Sequence, residues 1–406
     1  MKSEWKIKKI NDIATVVNGG TPDTNRKDFW GGDILWITPK DMGKLSSIYV
    51  DDTERKITEA GLKNSSAKMI PPNSIILSSR APIGHLAINN FEISTNQGCK
   101  GIIPKKEILT KYLFYFLRNS IELLNSLGTG TTFKELSSSK LNDVEIPLPP
   151  LPEQQRIVDI LDQSFAAIDR AIENTEKNIS NVDKLNFSYL QSKFDYSQKD
   201  WKEITLNDEK YIKIIDGDRG INYPKKEDFY SSGYCLFLNT KNVRPDGFNF
   251  DSTMFINIEK DKNLGKGKLS RNDIVLTTRG TIGNVAIYDN SVKYDQIRIN
   301  SGMLIFRPNL EKIYPHYLFQ IIQSNIFRSQ IEQHKSGAAQ PQLPIKTLRN
   351  FKIPLPNSIE KQKNIVAELS NLHATVLKLK LSFQNKLVKI QELKQSILHK
   401  AFTGEL

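Results

Sequence analysis

Residues 151–194 read LPEQQRIVDILDQSFAAIDRAIENTEKNISNVDKLNFSYLQSKF, and residues 359–402 read IEKQKNIVAELSNLHATVLKLKLSFQNKLVKIQELKQSILHKAF. The two stretches align without a gap at one constant offset: Leu161 meets Leu369, Leu185 meets Leu393 and Phe194 meets Phe402. In the first, Leu161, Phe165, Ile168, Ile172, Ile179, Val182 and Tyr189 recur at steps of four and three, with Thr175 filling the gap. In the second, Leu369, Val376, Phe383, Leu387, Ile390 and Ile397 keep the register, with His373, Lys380 and Lys394 in the seam. An apolar step averaging about 3.5 residues predicts a coiled coil rather than a simple amphipathic helix. Polar seam residues weaken a tight two-strand zipper, so the expectation is a looser pair or one joined by helices of a partner. About 38 helical residues at 1.5 Å each make a rod of roughly 57 Å. Two such rods most simply pack against each other; two independent surface helices would leave both stripes uncovered.

The segments before the rods also repeat. WKIKKI (5–10) resembles WKEITL (201–206), and Asp28-Phe29-Trp30 parallels Asp228-Phe229-Tyr230. ILWITPKDM (34–42) matches CLFLNTKNV (235–243), and IILSSRAPIGHLAI (75–88) matches IVLTTRGTIGNVAI (274–287). STNQGCKGIIP (94–104) parallels RINSGMLIFRP (298–308), YLF recurs at 112 and 317, Gly130 pairs with Gly337, and LNDVEIPLP (141–149) pairs with LRNFKIPLP (348–356). Short β-rich runs bounded by Gly, Pro and Asn read as strands. Apolar runs at 109–126 and 314–333 read as helices. Pro149-Pro150-Leu151-Pro152 and Pro356-Asn357-Ser358 end the preceding strands. Pro152 and Glu153 suit a first helical turn, and Asn357 with Glu360 has capping-box spacing. The chain therefore divides into a β-rich unit (1–150), a rod (151–195), a second β-rich unit (196–356) and a second rod (357–406). Joining the C-terminus to the N-terminus would complete a second copy of the linker FDYSQKDWKEITL, so the ends are expected close together. The fold class is α+β: two β-rich globular units separated by a pair of long antiparallel coiled-coil helices, as a pseudo-two-fold circular repeat.

Across 406 residues the net charge is +12, which favours an anionic partner, nucleic acid ahead of a membrane surface. No apolar run approaches a transmembrane length, and MKSEWKIKKI lacks a signal-peptide core. Cys99 and Cys235 stand far apart, which argues against a disulfide framework or a zinc site and for a reducing cytoplasm.

A catalytic set is not evident. GTGTTFKEL (128–136) lacks the spacing and terminal Lys-Ser/Thr of a phosphate loop. Asp51, Asp52, Glu54 and Lys56 superficially resemble a nuclease site, but the run reads as a solvated loop without a counterpart in the second half. The histidines at 85, 316, 334, 373 and 399 make no metal spacing. Instead, basic residues lie in loops among aromatics and amides: Arg26, Lys27, Lys40, Lys44 and Arg80 in the first unit, and Arg219, Lys225, Lys226, Lys241, Arg244, Arg279 and Arg298 in the second. Such side chains suit phosphate oxygens and major-groove base edges. Arg80 and Arg279 stand out within the matched SSRAPIG and TTRGTIG elements. Bracing a turn remains an equal reading for both.

Two β-rich units, two helical repeats, PLPPLPEQQRIV after the first unit and KAFTGEL at the end together resemble the specificity subunit of type I restriction–modification enzymes. The similarity spans essentially the whole chain. It departs where IEKQKNIV replaces PEQ and where GAAQPQL stands against GTGTTFKEL. The resemblance implies two target recognition domains, each reading half of a bipartite duplex DNA sequence. It implies rods that dock methyltransferase subunits, two in number, with restriction subunits joining them. S-adenosylmethionine, ATP and Mg²⁺ would then sit on those partners, and this chain would bind no cofactor. A rod of roughly 57 Å spans at most about 17 base pairs at about 3.4 Å each. The loops TPDTNRKDFWGGD and DRGINYPKKEDFYSSG differ, so the two half-sites are expected to differ. A stand-alone nuclease or methyltransferase, and a coiled-coil scaffold for proteins, remain as alternatives.

Overall fold

A computed structural model describes residues 5–130, 134–194, 200–336 and 342–406. Gly337 and parts of GTGTTFKEL and GAAQPQL therefore lie outside the described residues. The chain forms two compact units, Met1–Glu176 with Gln384–Leu406, and Lys177–Phe383. Each rod contributes to both.

In unit 1 a mixed sheet of five strands runs in the order Ala14–Asn18, Cys99–Pro104, Ile75–Ser79, Ile83–Asn89, Tyr49–Val50. Beside it Trp30–Ile37 pairs with Arg55–Ile57 and, in parallel, with Ile93–Thr95. Lys6–Lys9 pairs antiparallel with Glu145–Leu148 just before the first rod. Unit 2 repeats this plan. Its sheet runs Ile212–Asp216, Met303–Pro308, Asp273–Thr277, Val285–Tyr288. Cys235–Leu238 pairs in parallel with Ile297–Ile299, and Trp201–Thr205 pairs antiparallel with Lys352–Pro356.

The rods are helices of 43 residues (Leu151–Lys193) and 45 residues (Ile359–Thr403), longer than the expected 38 or so. Within each unit their portions run antiparallel. In unit 1, Lys394 Nζ meets Asp169 at 2.5 Å and Arg156 donates to the Leu406 carbonyl at 2.7 Å. In unit 2, Lys380 pairs with Asp183 and Lys193 with Glu368. Leu161, Phe165, Ile168, Leu369, Val376 and Ile390 are buried, while Ile172, Ile179, Val182, Phe383, Leu387 and Ile397 are half-buried. The seam's polar residues have partners: Lys380 and Lys394 reach aspartates of the facing helix, and the Thr175 hydroxyl donates to Ala171 O at 2.6 Å. His373 is exposed, whereas its neighbour Leu372 is half-buried. The second helix is capped by Ser358, whose hydroxyl accepts from Lys361 N at 3.1 Å. Asn357 stands one residue before the cap, because the first helical bond runs from Gln362 N to Ser358 O at 3.2 Å.

Each rod start is locked by a buried glutamine. Gln154 Oε1 accepts from Leu109 N at 2.9 Å, and its amide donates to the carbonyls of Glu107 and Pro149. Gln362 does the same with Tyr314 N, Lys312 O and Pro356 O. Tyr112 and Tyr317 each donate to a proline carbonyl of the neighbouring strand, at 2.7 and 2.8 Å. Phe402 and Phe194, aligned in the repeat, close edge-on against these two tyrosines. Trp5 and Leu406 both pack into the core of unit 1, so the two ends of the repeat share one hydrophobic cluster.

The helices expected at 109–126 and 314–333 are each broken in two, at Ser120 and Ser324. The break turns the second segment over the matched glycine elements. A Cβ on Gly84 (φ +114°) would sit 2.9 Å from Ile121, and one on Gly283 (φ +90°) 3.4 Å from Ile331. No described helix is long and apolar enough to cross a membrane.

Candidate nucleic-acid interface

In unit 1 the turn Asn96–Gly98 is where three strand ends converge. Asn96 N donates to Ile37 O (3.0 Å), Ser79 N donates to Gly98 O (2.8 Å), and Gly20 N donates to Thr95 O (2.9 Å). The Asn96 side chain braces the turn from within, accepting from Gly98 N at 3.0 Å. Gly19 is required by close approach, since a Cβ there would lie 1.9 Å from Asn96 O. Unit 2 repeats the device at Asn300–Gly302. Asn300 N donates to Leu238 O (3.0 Å), Thr278 N to Gly302 O (2.8 Å), and Gly302 N to Asn300 Oδ1 (2.9 Å). A Cβ on Gly217 would lie 2.2 Å from Asn300 O.

Basic residues follow directly from these strand ends. In unit 1 Arg80 succeeds Ser79, and Lys40 lies on the short helix Pro39–Met42, capped by Thr38 and packed on Gly98 through Pro39. In unit 2 Arg279 succeeds Thr278, and Lys241 lies on the turn Thr240–Asn242, capped by Asn239 and packed on Gly302 through Thr240. Arg219 joins them, its guanidinium 3.3 Å from both Ser301 O and Asp216. The structure thus brings together Arg80 and Lys40 at one turn, and Arg219, Lys241 and Arg279 at the other. Lys40, Lys241, Arg219 and Arg279 are exposed and Arg80 is half-exposed. Cations on loop ends around a glycine turn, with backbone amides close by, suit phosphate and base-edge contacts.

The other candidates sit apart from these turns. Arg26 forks onto Asp28 at 2.8 and 2.9 Å and lies over the Phe29 ring. Lys27 is exposed on the same loop, and Lys44 pairs with Glu54 at 2.9 Å. Lys225 and Lys226 are exposed on the loop before Phe229, and Arg244 on the hairpin Val243–Arg244 with Gly247–Phe248. Arg298 must be withdrawn from the contact set. It is 5% exposed, and its guanidinium donates to Asp261 Oδ1 (2.6 Å) and to the carbonyls of Lys266, Asp261 and Leu264. Burial pushes the Asp261 carboxyl upward, but the Lys268 and Arg298 donors outweigh it and hold it below its usual range.

Sequence inspection missed Asn96 and Asn300, although the shared Asn-X-Gly in STNQGCKG and RINSGMLI was a legible turn signal. It also missed Arg55, whose guanidinium sits over the rings of both Trp30 and Trp36, and Glu135, 3.9 Å from Arg80. The acidic run resolves into local pairs: Asp52 with Lys56, Glu54 with Lys44, and Asp51 with the Asn90 amide. Among the described residues no three His, Cys, Asp or Glu side chains come together as a metal site. Burial raises the thiol pKa of Cys99, and that of Cys235 to about 12, so neither is a ready nucleophile.

Residues 2–181 and 198–387 match the family described as "Type I restriction modification DNA specificity domain". The chain is 30% identical to the specificity subunit of the type I restriction enzyme MjaIX of Methanocaldococcus jannaschii, over 99% of this chain and 94% of that protein. It is 40% identical to the EcoR124I/EcoR124II specificity subunit of Escherichia coli over 39% of this chain and 40% of that protein. Among solved structures, the HsdS subunit from Thermoanaerobacter tengcongensis matches with a TM-score of 0.67 at 18% identity, over 100% of this chain and 98% of that one. A chain solved in work on complex assembly and conformational transition of the type I R-M system matches at 0.72 and 19%, over 100% and 99%. The duplicated unit and this match over nearly the full length place the chain in the type I restriction–modification DNA specificity family.

Proposed function

We propose that this chain reads the DNA target of a type I restriction–modification complex, with each unit reading one half of an asymmetric, bipartite duplex sequence. The observation that carries this is the duplicated Asn-X-Gly turn. Each copy gathers strand ends bearing Lys and Arg, yet the loops around the two copies differ. The same turn with different loops suits two half-sites of different sequence. The target recognition domains correspond to residues 1–150 and 196–356, and the rods to 151–195 and 357–406.

The chain recognises and assembles, and catalysis belongs to its partners. Methyltransferase subunits, two of them, dock on the rods, and restriction subunits join them. S-adenosylmethionine, ATP and Mg²⁺ are held by those subunits. Support for docking comes from apolar residues left outside the seam. Leu185 is 69% exposed, and Phe187, Leu377, Leu379, Leu381, Val388 and Leu393 are also exposed. Large apolar side chains repeated along a helix surface mark a protein-binding face. The same residues favour the second reading, a scaffold that binds proteins alone.

Expressing the chain with its genomically adjacent methyltransferase subunit in a methylation-free host, then mapping modified adenines, separates the two. One gapped, asymmetric motif supports recognition. A stable complex without modification supports the scaffold.

A further inference from the structure

Arg80 and Arg279 occupy matched positions, and the segments that cross over them are also matched. Arg80 forms a backbone β-bridge with Glu135, whose carboxylate lies 3.9 Å from the guanidinium, and Leu136 N donates to Ser79 O at 2.9 Å. Arg279 bridges to Gln342, and Leu343 N donates to Thr278 O at 3.0 Å. The residue over the arginine is thus an acid in unit 1 and its neutral amide in unit 2.

A second difference lies on the strand beneath. Lys100 stands opposite Leu77 and Asn18 in its ladder, and Leu304 stands opposite Leu276 and Asp216 in the matching ladder. Lys100 is 5% exposed, and its ammonium donates to Asn18 Oδ1 at 2.9 Å. That same oxygen accepts from the Ser138 hydroxyl at 2.6 Å, which ties Lys100 to the segment headed by Glu135. The remaining ammonium protons have no acceptor among the described residues. Burial disfavours the Lys100 charge, and the nearby Glu135 carboxylate opposes that effect. Acid and buried lysine are thus both present in unit 1 and both replaced, by Gln342 and Leu304, in unit 2. Unit 2 keeps an acid–cation pair at the same turn, but there Asp216 faces Arg219.

We propose that Glu135 is a specificity-determining residue of unit 1: it holds Arg80 in the absence of DNA and transfers to Lys100 when Arg80 engages its base. This rests on the reading of unit 1 as a half-site reader. Arg80 then leaves Glu135 only for a partner that replaces the carboxylate, such as the two acceptors of a guanine edge. Arg279, under Gln342, meets no such competitor among the described residues. Lys100 is a positioning residue, acting through Glu135 rather than on DNA.

The test uses the complex of the full chain with its methyltransferase subunit. Affinities are measured by fluorescence anisotropy for the cognate duplex and for duplexes scrambled in either half, over a range of salt. For Glu135→Gln, the preference for the cognate over a scrambled half should fall about three- to fivefold at one half-site only. The salt slope on that scrambled duplex should steepen by about one. Lys100→Leu should weaken cognate binding in the wild-type background and have no effect in the Glu135→Gln background. An unchanged preference in Glu135→Gln, or equal relaxation at both halves, overturns the proposal. Equal weakening by Lys100→Leu in both backgrounds also overturns it, because Lys100 would then act independently of Glu135. Should Lys100→Leu fail to fold, the Glu135→Gln comparison still decides. A wild-type complex that discriminates neither half would instead refute the reading of the units as half-site readers.

Discussion

Replacing Arg298 by methionine tests whether a basic residue in the matched recognition strand is a brace or a contact. The side chain is buried, and its donors serve the 3%-exposed Asp261 and three backbone carbonyls. Methionine keeps much of the volume and removes every donor. Deleting one partner of a buried ion pair costs about 3–5 kcal/mol. Lys268 remains on the other carboxylate oxygen, which places the cost near the lower end, about 3 kcal/mol. For a unit the size of Lys177–Phe383 this lowers the melting temperature by about 6–12 °C. Calorimetry of the wild type and Arg298→Met at pH 7 reads it directly. The pH dependence gives an independent sign. The Asp261 carboxyl lies below its usual range when folded, so its stabilisation is present above the unfolded value of about 4 and is lost as pH falls through the lower folded value. The gap between the two proteins should therefore narrow as pH falls below about 4. A melting temperature within about 2 °C of wild type, with DNA affinity reduced in the folded variant, would refute the argument and restore Arg298 as a contact.

Other consequences follow from the same geometry. Gln154→Leu and Gln362→Leu should each cost about 1–3 kcal/mol in thermal unfolding, because each leaves a buried N–H and two carbonyls without their partner. Arg279→Ala should weaken DNA binding by the complex and lower the salt slope by about one, or cost about 1–3 kcal/mol for one base only if the contact is to a base edge. Lys394→Leu should leave stability unchanged or raise it by less than about 1 kcal/mol, since an apolar seam residue replaces a partly exposed ion pair with Asp169. Deleting one heptad from both rods should shorten the unread gap and leave both half-sites as they were, read out by methylation mapping.

How much of this was legible in the chain depends on the length scale of each signal. The rods and the duplication were, because an apolar step of about 3.5 residues sustained over dozens of residues is the mark of paired long helices. Single positions within the rods were less so. His373 and Leu372 are neighbours, and an apolar step of three or four fits either, so the sequence alone does not choose the more buried one. The breaks at Ser120 and Ser324 were hidden because the apolar pattern continues through both. At the candidate interface, Arg80 and Arg279 were visible through their matched flanks. Arg298 looked identical in kind to its exposed neighbours, because residue type carries no record of a partner such as Asp261 nearly forty positions away. Glu135 and Lys100 were invisible for the same reason, since their relation arises from the crossing of a loop over a strand.

The most direct measurement maps adenine methylation by two variants of the complex, each stripped of the cations at one turn. One carries Lys40→Ala and Arg80→Ala, the other Lys241→Ala and Arg279→Ala. Relaxation of one half-site by the first and of the other half-site by the second, with the gap unchanged, is the predicted result. Relaxation of the same half-site by both, or wild-type motifs from both, would contradict the claim that each unit reads its own half from its own turn.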